Sequence, residues 1–508
     1  MRQFDPARRF SDPDEVLRTV FGYADFRPGQ RKIIDAVLGG RDCIGLMPTG
    51  AGKSLTFQIP AKILPGTVLV LSPLISLMKD QVDALVRTGF RAAILNSTVG
   101  WQERQATLAV LRAGQLDLLY VAPEGLSEQL RGALAAAKLS LVVVDEAHCI
   151  SHWGHDFRPA YRQLAGLKAQ FGELPILALT ATATRQVVGD IIKQLGMRRP
   201  DGFKGSFYRP NLVITTQKKG AGRETRADIL AIIRKHHGAS GIVYCLSRKS
   251  VDDLTAWLRT KGVTARAYHA GLSDDERTAS QNAFARDDAG VIVATVAFGM
   301  GIDKSNVRYV IHRDMPRSIE SWYQEIGRAG RDGLESDCVV MYSWVDVIAY
   351  DRFLTDVEDE ELRAATRAKT VQLFELLESP RCRHQSLNRY FADEIDACGA
   401  SCDRCLGREL ADVLGSARTA VRSVPARRRV AAEAPPADEA LFDKLRVLRR
   451  TIADSEGVPA YIVFSDAVLR EMSARLPTTD RELRAISGIG PVKVERYGPR
   501  FLELLRAE

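Results

Sequence analysis

From about residue 15 to residue 205, short unbroken apolar runs alternate with longer stretches in which apolar residues recur every three or four positions. The runs DCIGLM, TVLVLS, LDLLYVA, LSLVVVD and ILALTAT carry no polar face. Strands read this way when both sides of a parallel sheet are covered, and the stretches between them have the helical period. Their alternation predicts a parallel sheet with helices on both faces. The rhythm restarts at GIVYCLS (241–247) and continues through ARAYHA, GVIVAT and VRYVIH. Two α/β domains in tandem follow, 1–205 and 206–345, with a junction near Gly205–Asn211. Residues 346–408 read as helical. Residues 409–437, rich in Ala, Arg and Pro, read as a basic linker. Short amphipathic patterns over 438–508 predict a small all-α bundle.

At 508 residues the chain is too long for one core. No apolar run reaches the roughly 20 residues of a membrane span, and the N-terminal stretch has no secretory core. A cytoplasmic protein with no membrane partner is expected, nucleoid-associated if bacterial. The net charge of +8 and the pI near 9.0 permit nucleic-acid binding without requiring it. Cys43, Cys149, Cys245 and Cys338 stand alone and read as buried thiols. Cys382, Cys398, Cys402 and Cys405 cluster, and four thiolates at these spacings suit tetrahedral structural Zn²⁺. A disulfide pair, free thiols or a ligand role for His384 are the alternatives.

MPTGAGKS (47–54) lies between a strand and a helix, the context of a phosphate-binding loop. Thr49, Gly50, Ala51 and Gly52 would offer backbone N–H groups to phosphate oxygens. Lys53 would reach the β and γ phosphates, and Ser54 would hold Mg²⁺. Met47 stands where the usual pattern has its first glycine. Asp145 ends a hydrophobic strand, as a second Mg²⁺-binding acid should, and Glu146 is placed to orient or deprotonate a water. In SWYQEIGRAGRDG (321–333), Gln324, Arg328 and Arg331 fall on one helical face if the helix runs to Gly330. Arginines beside glycines suit a transferring phosphoryl group approached across a cleft.

Together MPTGAGKS, DEAH (145–148), LTATAT (179–184), ATVAFGMGID (294–303) and QEIGRAGR (324–331) resemble a superfamily 2 helicase. FGYADFRPGQRKII (21–34) and AHCISHWGHDFRPAY (147–161) narrow the resemblance to the RecQ helicases. That resemblance implies two tandem RecA-like parallel-sheet domains, then a helical zinc-binding module and a small HRDC-like bundle. It implies that Tyr23 stacks on adenine while Arg27 and Gln30 bind it, and that Asp303 belongs to the ATP site. It makes His152, Trp153, His155, Phe157 and Arg158 an aromatic loop that senses DNA next to the hydrolytic acids. Ser72 and Lys79 would track strand phosphates. The cysteine cluster would be the family's zinc module. RecQ enzymes usually carry a winged helix between that module and the HRDC domain, and the linker here leaves no room for one.

The expected function is an ATP-dependent 3′–5′ DNA helicase acting in recombination and repair, with ATP, Mg²⁺ and Zn²⁺ as cofactors. Its partners would be single-stranded and tailed or branched DNA, and a repair protein meeting the HRDC domain; a monomer is favoured. The competing readings are a DNA-stimulated translocase or annealing factor with weak unwinding, and, further off, an RNA helicase.

Overall fold

A computed structural model describes residues 8–507 except 74, 97–98, 152–157, 221–223, 297, 299–303, 356–357 and 416–437. Among them the strands are β1 (Cys43–Leu46), β2 (Thr67–Leu71), β3 (Ala92–Leu95), β4 (Leu118–Val121), β5 (Leu139–Val144), β6 (Ile176–Thr180) and β7 (Asp201–Lys204). A second series runs through β8 (Leu212–Lys218), β9 (Ser240–Tyr244), β10 (Ala265–Tyr268), β11 (Val291–Ala294), β12 (Val307–His312) and β13 (Ser336–Tyr342). They form two sheets, in the orders β3-β4-β2-β5-β6-β1-β7 and β10-β11-β9-β12-β13-β8. Every pairing is parallel.

The unbroken apolar runs have the predicted cause. In β5, Val142 and Val144 enter one core with Leu69, Leu71 and Ala178, while Leu141 and Val143 enter another with Val68, Val70 and Leu179. Four strands were not legible in the apolar pattern. AAIL of β3 and DGFK of β7 are edge strands, partly exposed, so they carry too little apolar signal. LVITTQK of β8 is mixed for the same reason, and SDCVVMY of β13 begins with polar residues although it is buried throughout.

Two compact units divide after Ser206. The first also takes in Thr479–Arg500, and the second includes the zinc-module helices and the bundle up to Thr478. Within the first, Gly488 N–H donates to the Gly22 carbonyl at 3.3 Å. Within the second, helix Glu439–Glu456 docks through arginines. Arg446 donates to the Gly238 carbonyl at 2.7 Å, Arg450 pairs with Asp288, and buried Arg449 bonds Asp466 at 2.7 Å and lies 4.0 Å from Asp287. The expected linker does not begin at 409. Leu410–Gly415 is helical, with Leu410 fully buried in the core of the second sheet, because leucines within ELADVL give it an apolar face. Among the described residues no helix is long and apolar enough to cross a membrane.

Candidate active site

β5, β6 and β1 are neighbours, and the loops leaving their carboxyl ends carry DEAH, LTATAT and MPTGAGKS. Open parallel sheets bind ligands at such strand ends. The loop after β1 turns through Gly50 (φ 83°) and Gly52 (φ 78°) before helix Leu55–Ala61. A side chain at Gly52 would strike the Gln30 amide, so glycine is required there twice over. Gln30 is expected to bind adenine, but its side chain is buried and committed to the loop. Its Nε2 donates to the carbonyls of Ala51 (3.2 Å) and Gly52 (2.9 Å), and its Oε1 accepts from Arg27 N–H (2.9 Å). The Arg27 guanidinium donates to the Gly50 carbonyl. These two residues therefore buttress the phosphate loop, whereas the Tyr23 ring stays exposed.

Lys53 Nζ lies 3.7 Å from Glu146 Oε1. Burial, and then the neighbouring Glu146 charge, push the Asp145 carboxyl up to about 6. A bound divalent cation would reverse that balance by favouring the ionised form. Asp145 is held by Ser72 Oγ (3.5 Å), and its carbonyl accepts from the Tyr161 hydroxyl (2.8 Å). Ser54 Oγ accepts from Gln81 Nε2 at 3.4 Å. A carboxylate and a hydroxyl in this setting are the hard oxygen donors that Mg²⁺ takes. Glu146 sits in the left-handed region (φ 47°, ψ 46°), uncommon for a residue with a Cβ. Its conformation is over-determined by its N–H on Asp145 Oδ1 (3.0 Å) and its carbonyl on Cys149 N–H (2.9 Å). Strain held in this way is characteristic of functional positions. His148 Nδ1 is 3.4 Å from Glu146 Oε2 and 2.9 Å from Thr180 Oγ1, and Thr180 Oγ1 in turn donates to the Thr182 carbonyl (3.1 Å). DEAH and LTATAT are thus one hydrogen-bonded unit. His148, Gln81 and Tyr161 were visible as residue types only; their roles depend on strand order.

His152, Trp153, His155 and Phe157 lie outside the described residues, as does Asp303. Arg158, the last residue of the expected aromatic loop, donates to the Pro73 carbonyl at 3.2 Å and ties the end of that segment to the loop after β2. Ser72 is buried, with its hydroxyl on Asp145; Lys79 is exposed and pairs with Asp83 (2.8 Å).

In the second unit, helix Ile319–Ile326 ends before the arginines. Gln324, Arg328 and Arg331 therefore do not share a helical face. The cause is Gly327 followed by Gly330 (φ 56°), whose carbonyl accepts from Arg209 (2.7 Å) and Asn211 (2.9 Å). Arg328 is buried on this irregular segment.

The Sγ atoms of Cys382, Cys398, Cys402 and Cys405 all lie within 4.8 Å of one another, a fit for four thiolates around tetrahedral Zn²⁺. His384 is not a ligand: its Nε2 meets the carbonyls of Leu212 (2.9 Å) and Ser401 (3.1 Å). The cysteine loop covers the edge strand β8, where Ile214 N–H donates to the Ser401 carbonyl (3.0 Å) and Thr216 Oγ1 to Asp403 (2.6 Å). A fully buried Arg383 locks Asp403 at 3.0 Å.

A phosphate loop joined to an acid pair on one parallel sheet, and an arginine–glycine segment on a second, define an ATP-hydrolysing motor of the helicase class. Residues 27–191 match the DEAD/DEAH box helicase family, 224–333 the helicase conserved C-terminal domain, 344–406 the RecQ zinc-binding family and 438–505 the HRDC domain. The chain belongs to the RecQ family. It is 38% identical, over an alignment 593 positions long including gaps, to the ATP-dependent DNA helicase RecQ of Pasteurella multocida, covering 97% of this chain and 93% of that protein. It is 37% identical to the Haemophilus influenzae protein of the same name, with 97% and 95% covered. It is 40% identical to the ATP-dependent helicase SGS1 of Saccharomyces cerevisiae, over 80% of this chain but only 29% of that one. Alignments longer than this chain's 508 residues mean that the bacterial relatives carry segments it lacks. The structure of Mycobacterium smegmatis helicase Lhr bound to ssDNA and AMP-PNP shares the fold, with TM-score 0.55 and 22% identity over 71% of this chain and 51% of that one. The protein is an ATP-hydrolysing DNA helicase that uses ATP and Mg²⁺ and binds Zn²⁺.

Proposed function

We propose that the chain translocates 3′ to 5′ on single-stranded DNA, opens tailed or branched duplexes in recombination and repair, and couples both to hydrolysis through the segment between Glu146 and Arg158. The observation that carries this reading is the run of close polar contacts from Lys53 to Glu146 (3.7 Å), from Glu146 to His148 (3.4 Å) and from His148 to Thr180 (2.9 Å). Lys53 neutralises phosphate charge, Ser54 and Asp145 hold the cation, and Glu146 orients the attacking water. When bound, Mg²⁺ supplies Lewis-acid stabilisation of phosphate charge. Arg328 and Arg331 stabilise the transferring phosphoryl group. Trp153 and Phe157 stack on bases, and because they follow Glu146 in the chain, their engagement by DNA shifts the water-orienting acid. Hydrolysis and strand separation measured on 3′-tailed DNA, 5′-tailed DNA and matched RNA test the proposal. Unwinding confined to 3′-tailed DNA is expected; equal use of the 5′-tailed substrate overturns the polarity.

A second reading, a DNA-stimulated translocase that separates strands weakly, is favoured by the segments the bacterial relatives carry and this chain lacks. Strong ATPase with little unwinding on every tail would select it.

A further inference from the structure

At the carboxyl ends of β9 and β12, Tyr244 and His312 join Glu325 in a buried polar cluster around Arg328, and none of the motif roles above gives these three residues a task. Tyr244 and His312 are register partners at those ends, and their rings stack at 5.2 Å and 19°. His312 Nε2 lies 2.7 Å from Oε2 of Glu325, which projects from helix Ile319–Ile326. One turn beyond Glu325 the chain has left the helix, and Arg328 N–H bonds back to the Glu325 carbonyl at 3.3 Å. The Arg328 guanidinium returns to the Tyr244 phenol, which it hydrogen-bonds, and that hydroxyl donates onward to the Phe298 carbonyl at 2.9 Å. Tyr244, His312, Glu325 and Arg328 are all buried.

The cluster is costly if it serves only packing. A buried ion-capable pair is rarely more stable than an apolar one of the same shape. The second ring nitrogen, His312 Nδ1, is buried with no hydrogen-bond partner, which carries a desolvation cost that a phenylalanine would avoid. What these groups do achieve is orientation. The glycine-flanked segment after Ile326 has no helical ladder, and Arg328 is held there by contacts that include the Glu325 carbonyl at its backbone and the phenol at its tip.

We infer that Tyr244, His312 and Glu325 are positioning residues that fix the Arg328 guanidinium for phosphoryl transfer: His312 and Glu325 hold the last turn of the helix, and Tyr244 holds the arginine itself. This rests on the reading of Arg328 as a stabiliser of the transferring phosphoryl group. Pre-orienting a charged group matters most in the transition state, so its loss should lower kcat and leave ATP binding nearly unchanged.

The test uses the full chain with Tyr244→Phe, Glu325→Ala, Glu325→Gln, Arg328→Ala and the double variant Tyr244→Phe/Arg328→Ala. Tyr244→Phe removes one oxygen and keeps the stacked ring. Its DNA-stimulated kcat should fall about tenfold, with KM for ATP, single-strand affinity and melting temperature close to wild type. Glu325→Ala should lose more, and Glu325→Gln, which keeps an acceptor for His312, should recover most of the loss. In single-turnover hydrolysis Tyr244→Phe should add nothing to Arg328→Ala, since both act through one group. Additive losses, or a kcat that falls only in step with melting temperature, would overturn the inference and leave a structural role. An inactive Arg328→Ala beside a fully active Tyr244→Phe would overturn it while keeping the arginine's role. An active Arg328→Ala would remove the arginine reading, and the inference with it.

Discussion

Asp145 shows at the scale of one residue how the site is tuned. Its carboxyl is raised from the ordinary 3.8 to about 6, first by burial and then by Glu146. The folded state therefore binds more protons than the unfolded one between these values. Stability falls as pH rises through that window, and the penalty is fully present above about 6. Asp145→Asn removes the ionisable group. In the protein without nucleotide or metal it should raise the melting temperature by about 2–4 °C at pH 8 and by less at pH 4.5, while abolishing Mg²⁺-dependent hydrolysis. Calorimetry at the two pH values checks this, and a destabilised variant at pH 8 would contradict the account of burial. Trp153 is a second case. Phosphate contacts dominate DNA affinity, so Trp153→Ala should bind single strands nearly as well as wild type. It should lose most of the stimulation of hydrolysis by DNA, and titration of ATPase against DNA measures it. Near-normal stimulation would show that the aromatic segment is not the sensor.

At the scale of elements, the cysteine loop and β8 depend on each other. The loop covers the exposed edge of β8, and Arg383 with Asp403 joins the two from inside. A structural zinc site contributes folding energy directly. Cys398→Ser should therefore lose metal, uncover β8 and reduce soluble yield. Metal analysis of purified wild type should return about one zinc per chain; a value near zero with normal folding would remove the assignment. The cysteine cluster was legible from spacing alone, because ligands close in sequence need only a local loop. The end of helix Ile319–Ile326 ahead of Arg328 and Arg331 was not. Two glycines allow either outcome, and the decision came from Arg209 and Asn211, more than a hundred residues away, which bond the Gly330 carbonyl.

At the scale of the whole molecule, charge is divided unevenly along the C-terminal region. Residues 438–508 carry as many acids as bases, and three of their arginines are spent on Gly238, Asp287, Asp288 and Asp466 within the second unit. Residues 416–437 carry five arginines against Glu433. Counterion release follows phosphate contacts, so truncation after residue 415 should flatten the salt dependence of DNA binding, and truncation after 437 should change it little. Cutting after 415 keeps buried Leu410 in place. Equal losses from both truncations, or tight DNA binding by the isolated bundle, would make the bundle itself the DNA module. The sequence by itself determined the two parallel sheets, the phosphate loop, the acid pair, the four cysteines and the family, because each is a local pattern: a period, a turn or a short spacing. Tertiary structure decided that Gln30 buttresses the phosphate loop, that Ser72 faces Asp145, that His148 meets Thr180 and that Tyr244 meets Arg328. Those pairings depend on which strands lie side by side, and strand order is set by the burial of both sheet faces rather than by any single stretch of residues.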